Sequence, residues 1–172
     1  MNTQLNNVAL YQLSYDKART YLVASIFVLG NILLPQLCHL VPQGGLILLP
    51  IYFFTLVGAY KYGFTVGLAT AILSPIVNHA LFGMPATPVL SIILVKSTLL
   101  ATAAAWIAHR TRRLSFLNVA LAVLAYQGVG TLVEWGMTSS LNAALQDLYL
   151  GWPGIVLQIV GGYLVLRYLM KK

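Results

Sequence analysis

Long apolar stretches separated by very short polar connections are the dominant feature of this chain. Of its 172 residues, 59% are hydrophobic and only 8% are charged. Soluble domains contain about 25% charged residues, so this composition excludes an ordinary soluble fold. A membrane-crossing helix needs about 20 apolar residues, and the apolar stretches suffice for about six such helices of uneven length. The chain is therefore predicted to be one all-α membrane domain, residues 1–172.

Charged residues, glycines and prolines mark the ends of six candidate spans. The second candidate is short, roughly 22 Å long, so it must rely on flanking residues or lie beside protein rather than open lipid. Residues 1–16 form a short polar segment without a basic region, and we expect no removable signal peptide. The predicted spans are Tyr21–Leu40, Leu46–Tyr60, Phe64–Leu81, Pro88–Ala108, Phe116–Ser139 and Pro153–Leu169.

The basic residues fall on one side of this predicted topology. If the amino terminus is cytoplasmic, every Lys and Arg except Lys96 lies at a cytoplasmic end, as the positive-inside rule requires. An odd number of crossings would move at least one basic group to the other side, so both termini are predicted to be cytoplasmic. The net charge of +7 then indicates orientation, and scattered basic residues form no groove for nucleic acid. The cytoplasmic set comprises Lys17, Arg19, Lys61, Arg110, Arg112, Arg113, Arg167, Lys171 and Lys172.

Three predicted helices each place one polar side chain at a similar depth below the outer surface. The helical rise puts Lys96 roughly 12 Å, Glu134 roughly 8 Å and Gln158 roughly 9 Å from the outer ends of their spans. A charged side chain at membrane depth costs at least about 2.5 kcal/mol of insertion free energy. Such a residue is therefore taken as a candidate for a functional site. Around Glu134 the polar residues recur at helical spacing, which predicts one stripe facing protein or water. That stripe contains Gln127, Thr131, Glu134 and Thr138.

Aromatic side chains accompany this polar layer, and the combination is typical of small-molecule sites. We expect the site to suit a zwitterionic solute, or one with an acid at one end and a hydrogen-bonding heterocycle at the other. Two simpler interpretations stay open. Lys96 and Glu134 could pair only with each other and hold two helices together, and Tyr149 and Trp152 could belong to an interfacial aromatic belt.

A second polar group ends the third predicted span. Asn78 and His79 precede a loop rich in Gly and Pro, and both could face the same cavity as Lys96. A histidine near a helix end also serves as a cap, and the three histidines lack metal-ligand spacing, so no metal site is expected. The predicted substrate-binding residues are Lys96, Glu134, Gln158, Asn78, His79, Trp135, Thr131 and Tyr126.

Small residues recur at intervals of four along the third predicted span. Gly63, Gly67 and Ala71 would let another helix approach closely, either within the chain or from a partner subunit. The single cysteine, Cys38, excludes an internal disulfide and any CxxC motif.

The segment Ser74–Pro88, SPIVNHALFGMPATP, resembles the substrate-binding S component of an energy-coupling factor (ECF) transporter. These components are small six-helix membrane subunits that capture vitamins in bacteria. Three features carry the resemblance: the motif LFGMP, the predicted topology with a cytoplasmic amino terminus, and the polar layer of spans four to six. One departure concerns the first span, which lacks the AxxxA pair that such subunits often use for docking. Gly63, Gly67 and Ala71 are therefore predicted as the docking residues instead.

The resemblance implies uptake of a vitamin or cofactor precursor across a bacterial inner membrane. It also implies partners, namely a membrane T subunit and two ATPase subunits that hydrolyse ATP, with no cofactor bound to this chain. The sequence has no GxxxxGK[ST] phosphate loop of its own.

Two other classes of function compete with uptake. An intramembrane enzyme would require an activated Ser with a His, or paired aspartates, and the sequence shows neither arrangement. The chain is therefore predicted not to be an enzyme. A non-catalytic scaffold or regulatory subunit, in which Lys96 and Glu134 form a structural ion pair, is the main alternative.

Overall fold

The computed structural model describes Leu10 and residues 12–170. Most of the predicted polar segment 1–16, together with Lys171 and Lys172, lies outside the described residues. Within the described part every regular element is helical. The elements are α1 (Ala18–Cys38), α2 (Gly44–Leu48), a 3₁₀ turn (Pro50–Tyr52), α3 (Phe53–Tyr62), α4 (Phe64–Phe82), α5 (Thr87–Thr111), α6 (Phe116–Thr138), α7 (Leu141–Ala144), α8 (Gln146–Tyr149), α9 (Trp152–Val156), a π-helical turn (Leu157–Gly161) and α10 (Gly162–Met170).

Five helices of the described chain are long and apolar enough to cross a membrane: α1, α4, α5, α6 and the continuous run Trp152–Met170. This confirms an all-α membrane protein with several spans. Five of the predicted spans correspond to these helices within a few residues.

The second predicted span, Leu46–Tyr60, is not the one continuous helix that its apolar composition predicted. The chain forms α2, breaks at Leu49, makes the 3₁₀ turn and only then begins α3. Leu49 adopts the left-handed conformation, with φ of 46°, which a leucine rarely takes outside a specific structural need. Pro50 follows it and cannot donate a hydrogen bond to a preceding turn. Apolar composition suggested a continuous helix, but the backbone at Leu49 and Pro50 interrupts it.

The broken segment nevertheless runs the depth of the bundle, antiparallel to α1. At one end Gly44 lies against the Cys38 carbonyl. At the other end the Leu13 amide donates to the Tyr62 carbonyl at 3.2 Å. We call these two ends of the molecule the Gly44 end and the Leu13 end.

Buried polar groups fasten the broken segment to α1 and α4. The Asn31 amide nitrogen donates to Thr55 Oγ1 at 3.1 Å and to Ser74 Oγ at 3.3 Å. Asn31 Oδ1 accepts from the Phe54 backbone amide at 3.1 Å. That amide lies in the first turn of α3, where helical amides have no acceptor within their own helix. Asn31 thus replaces the hydrogen bond that the break removes.

At the Leu13 end, side chains of α3 bind the backbone of neighbouring segments. Lys61, which is 7% exposed, donates from Nζ to the Leu169 carbonyl in the last turn of α10. A cation there is favoured by the partial negative charge of a helix carboxyl terminus. Tyr60 donates its hydroxyl to the Arg113 carbonyl at 2.8 Å, which ties α3 to the α5–α6 connection.

The Gly67 and Ala71 positions lie inside the bundle, at the contact between α4 and α3. A Cβ on Gly67 would come within 2.4 Å of the Ala59 Cβ and 2.8 Å of the Ala59 Cα, and Ala71 is fully buried. The chain's own helices therefore cover Gly67 and Ala71, whereas Gly63 is only partly buried.

We expect Gly67→Ala to destabilise the protein by about 1–3 kcal/mol, because the added methyl group meets backbone and must push α3 away from α4. Thermal unfolding of the detergent-purified protein measures the change. Gly128→Ala is the matched control, because a Cβ on Gly128 would meet nothing within 4 Å. Equal unfolding temperatures for the two variants would contradict the tight α3–α4 contact.

Candidate functional site

Lys96 is the centre of a buried charged cluster. Its side chain is only 2% exposed, although it lies in the middle of the apolar helix α5. Its Nζ forms an ion pair with Glu134 Oε2 of α6 and donates to Asp147 Oδ2 of α8 at 2.8 Å. The side chains of Glu134 and Asp147 are 13% and 17% exposed. One ammonium group therefore lies between two largely buried carboxylates.

The helix packing explains how Lys96 reaches this position. A Cβ on Gly130 would come within 2.9 Å of the Lys96 Cγ, so the aliphatic stem of Lys96 lies directly over that glycine. Glu134 is one helical turn further along α6, on the same face. The stem thus follows the α6 surface, and the ammonium group meets the carboxylate at its end.

Asp147 was not among the predicted site residues. It lies on α8, in the connection between the fifth and sixth predicted spans. A signal was available in the composition, because the whole chain has only three acidic residues. No repeating pattern in the sequence predicts that this connection folds back over Lys96.

Several polar atoms beside this cluster are buried without a hydrogen-bond partner among the described residues. Gln127 is 1% exposed, and neither its amide nitrogen nor its amide oxygen has a partner. The Thr131 hydroxyl and the Gln158 amide nitrogen are also unpaired. Gln127, Thr131 and Glu134 share one face of α6 by their spacing. Buried polar groups are nearly always satisfied in folded proteins, so each such atom needs an explanation.

Tyrosines and the broken segment complete the surroundings of the polar layer. Tyr126 donates its hydroxyl to Gln158 Oε1 at 2.9 Å, and its ring centroid lies 5.3 Å from that of Tyr52. Tyr52 belongs to the 3₁₀ turn just after the helix break, and a Cβ on Gly151 would meet both the Leu49 side chain and the Asp147 carbonyl oxygen. The break, the rings and the charges therefore lie in one region.

The helix that carries Gln158 packs directly on the break. A Cβ on Gly154 would come within 2.5 Å of the Leu48 carbonyl oxygen and carbonyl carbon. A Cβ on Gly151 would meet the Leu49 side chain at 2.9 Å and the Asp147 carbonyl oxygen at 2.6 Å. These close contacts place α8, α9 and the end of α2 together at the Gly44 end.

Asn78 belongs to a different cluster from Lys96. Its amide nitrogen donates to the Asn31 carbonyl at 3.0 Å and to the Ser74 carbonyl at 2.9 Å. The Gln36 amide lies 3.5 Å from its Oδ1. These contacts connect α1 with α4. Asn78 was predicted to bind the substrate, but its hydrogen bonds join the two helices instead.

His79 contacts the loop that follows its own helix. Its Nδ1 lies 2.8 Å from the Pro85 carbonyl oxygen, a hydrogen bond that holds the LFGMP loop against the end of α4. This geometry is that of the cap considered in the sequence analysis. In the described residues, no three His, Cys, Asp or Glu side chains are arranged to hold a metal ion.

The aromatic residues divide into two groups by exposure. Tyr126 is 1% exposed and belongs to the polar layer. Trp135, Tyr149 and Trp152 are exposed on the molecular surface, where aromatic rings are common at membrane interfaces. The structure therefore brings together Lys96, Glu134, Thr131, Tyr126 and Gln158, and adds Asp147, Gln127 and Tyr52.

Comparisons of the chain with protein-family models, with curated proteins and with solved structures found no match. Its function is therefore inferred from the chemistry of the polar layer.

Proposed function

We propose that this chain is a membrane-embedded subunit that binds a small solute in the polar layer around Lys96. The supporting observation is Gln127, whose amide is buried with neither of its two polar atoms paired. A group that served only packing would be replaced by leucine or methionine at lower free energy, because an unpaired buried polar group costs about 1–3 kcal/mol. A bound solute that satisfies this amide explains why it is there.

The helix break supports the same proposal. Discontinuous helices in membrane proteins commonly provide solute and ion sites, since irregular backbone at membrane depth is tolerated where it is buried in protein or lines a cavity. Here the break at Leu49 lies against α9 and next to the Tyr52 ring.

In this proposal the chain crosses a bacterial inner membrane six times, with the Gly44 end outside and both termini in the cytoplasm. The broken segment supports six crossings because it runs from the Gly44 end to the Leu13 end beside α1. The basic residues Lys61 and Arg113 lie together at the Leu13 end, consistent with the positive-inside rule.

We expect cysteine labelling to report this orientation. In a Cys38→Ala background, a cysteine at Ala86 should react with a membrane-impermeant maleimide in intact cells. A cysteine at Arg112 should react only after the cells are opened. Labelling at position 112 in intact cells, with or without labelling at position 86, would contradict this orientation.

The solute would be captured from outside, and its inward release would be driven by ATP hydrolysed in partner subunits. This follows the resemblance to ECF S components, in which a T subunit and two ATPases supply the energy. A binding site of fixed affinity cannot concentrate a solute on its own. A vitamin or cofactor precursor is the proposed class of cargo, and the chain itself performs no catalysis.

The scaffold alternative has its own supporting observation. Lys96 is paired with Glu134 and Asp147, so the cluster would also hold α5, α6 and α8 together with no solute present. The two proposals differ at Gln127, which contributes no hydrogen bond to such a scaffold.

Gln127→Leu separates solute binding from scaffolding. We expect this variant to be at least as stable as the wild type, because it removes an unpaired buried amide, and to lose the solute that co-purifies with the wild type. Mass spectrometry of the extracted protein identifies the solute, and thermal unfolding reports stability. Gln36→Met is the matched control, because Gln36 lies on α1 against Asn78 and should keep the solute. If no solute accompanies the wild type, or if Gln127→Leu retains it fully, the scaffold alternative is favoured.

A further inference from the structure

We infer that the solute carries a positive charge, which lies against the carboxylates of Glu134 and Asp147. This inference rests on the proposed solute site and adds the chemical class of its ligand. The sequence pattern indicated a zwitterionic solute, or one with an acid at one end and a hydrogen-bonding heterocycle at the other, whereas the cluster calls for a positive charge and no acid.

Lys96 is not free to bind an acidic group of a solute. Its ammonium group already contacts two carboxylates, and its side chain is 2% exposed. An acidic solute would have to displace Glu134 or Asp147 from this ammonium group. It would also bring a third negative charge into a region that already has two.

The charges of the cluster are unequal in number. Lys96 contributes one positive charge, while Glu134 and Asp147 contribute two negative charges. Lys61 and the backbone of Arg113 lie at the opposite end of the bundle, away from this cluster. The cluster thus has one negative charge in excess, and a buried charge is strongly favoured when it gains a partner of opposite sign.

The unpaired side-chain amides near the cluster indicate what the rest of the solute contains. The Gln158 amide nitrogen is an unpaired donor, and Gln127 offers both a donor and an acceptor. The NH₂ group of a side-chain amide donates hydrogen bonds and does not ligate a metal cation. These NH₂ groups therefore call for an acceptor on an organic molecule. The geometry therefore points to an organic cation that has a carbonyl, hydroxyl or ring nitrogen beside its charged group. The nearby rings of Tyr52 and Tyr126 are compatible with a cationic heterocycle.

Thermal unfolding of the purified protein with probes of different charge tests the inference. Thiamine is the probe with a permanent cation in a heterocycle, riboflavin is the uncharged probe and biotin is the anionic probe. Choline and its uncharged carbon isostere, 3,3-dimethylbutan-1-ol, form a pair of nearly equal shape. Sodium chloride at matched ionic strength tests an inorganic cation. We expect the unfolding temperature to rise with thiamine or choline and to stay unchanged with the isostere, biotin and sodium chloride.

Asp147→Asn provides the matched variant, because the asparagine oxygen can still accept from Lys96. We expect affinity for the stabilising cation to fall about tenfold or more in this variant. The double variant Glu134→Gln and Asp147→Asn leaves Lys96 as the only charge of the cluster, and its preference should reverse towards the anionic probe.

Stabilisation by riboflavin or biotin but by no cation would overturn the charge assignment and leave the solute site intact. Stabilisation by sodium chloride alone would also overturn it, in favour of an inorganic ion. If no probe stabilises the protein and no solute co-purifies with it, both the inference and the proposed function fail.

Discussion

Replacing Lys96 with methionine should destabilise the folded protein by about 3–5 kcal/mol, because it breaks a buried ion pair by removing one partner. Methionine retains most of the stem that lies over Gly130 but removes the charge. Glu134 and Asp147 would then remain together as two largely buried carboxylates without their cation. Chemical or thermal unfolding in detergent measures the loss.

Two controls make this prediction specific to charge. Lys17→Met, at an exposed position before α1, should change stability by less than about 0.5 kcal/mol. The triple variant Lys96→Met, Glu134→Gln and Asp147→Asn removes all three charges and should recover most of the loss, since well-packed neutral groups often replace buried ion pairs without penalty. A triple variant as unstable as Lys96→Met would show that the loss comes from packing.

Asn31→Ala should destabilise the protein by about 2 kcal/mol or more. The change removes the hydrogen bonds to Thr55 and Ser74 and leaves the Phe54 amide in the first turn of α3 without an acceptor. An unpaired buried backbone amide costs about 1–3 kcal/mol in addition to the lost bonds. Thermal unfolding measures the total effect.

The location of the effect can also be tested. Hydrogen exchange should accelerate in the first turn of α3 more than in α6, because only α3 loses a direct contact with Asn31. Asn118→Ala is the matched control, since Asn118 bonds exposed groups near the α5–α6 connection. Equal losses in Asn31→Ala and Asn118→Ala would contradict the role of Asn31 in capping α3.

Helical periodicity in the sequence predicts much of the candidate site. A rise of about 1.5 Å per residue is enough to place Lys96, Glu134 and Gln158 at similar depths, because a span is straight and its ends are marked by composition. The same reasoning put Thr131 on the face of Glu134. It could not separate Asn78 from this layer, because depth along the bundle does not specify which neighbouring helix a side chain meets.

Two important residues carried weaker signals. Asn31 is a polar residue in the middle of an apolar span, which is reason enough to expect a partner, but its partners come from α3 and α4 and are 23 to 43 positions away. Asp147 lies in a connection whose path no repeating pattern describes. Its contact with Lys96 joins positions 51 residues apart.

The sequence by itself determined that this chain is an all-α membrane protein and where most of its long helices lie. It did so because the cost of burying charge and unpaired backbone in lipid leaves a chain of this composition few alternatives. Only the tertiary structure decided that the second predicted span breaks at Leu49 and that two carboxylates share one ammonium group. Both features depend on contacts between distant segments, where side-chain packing and hydrogen bonding outweigh the local preference for a continuous helix.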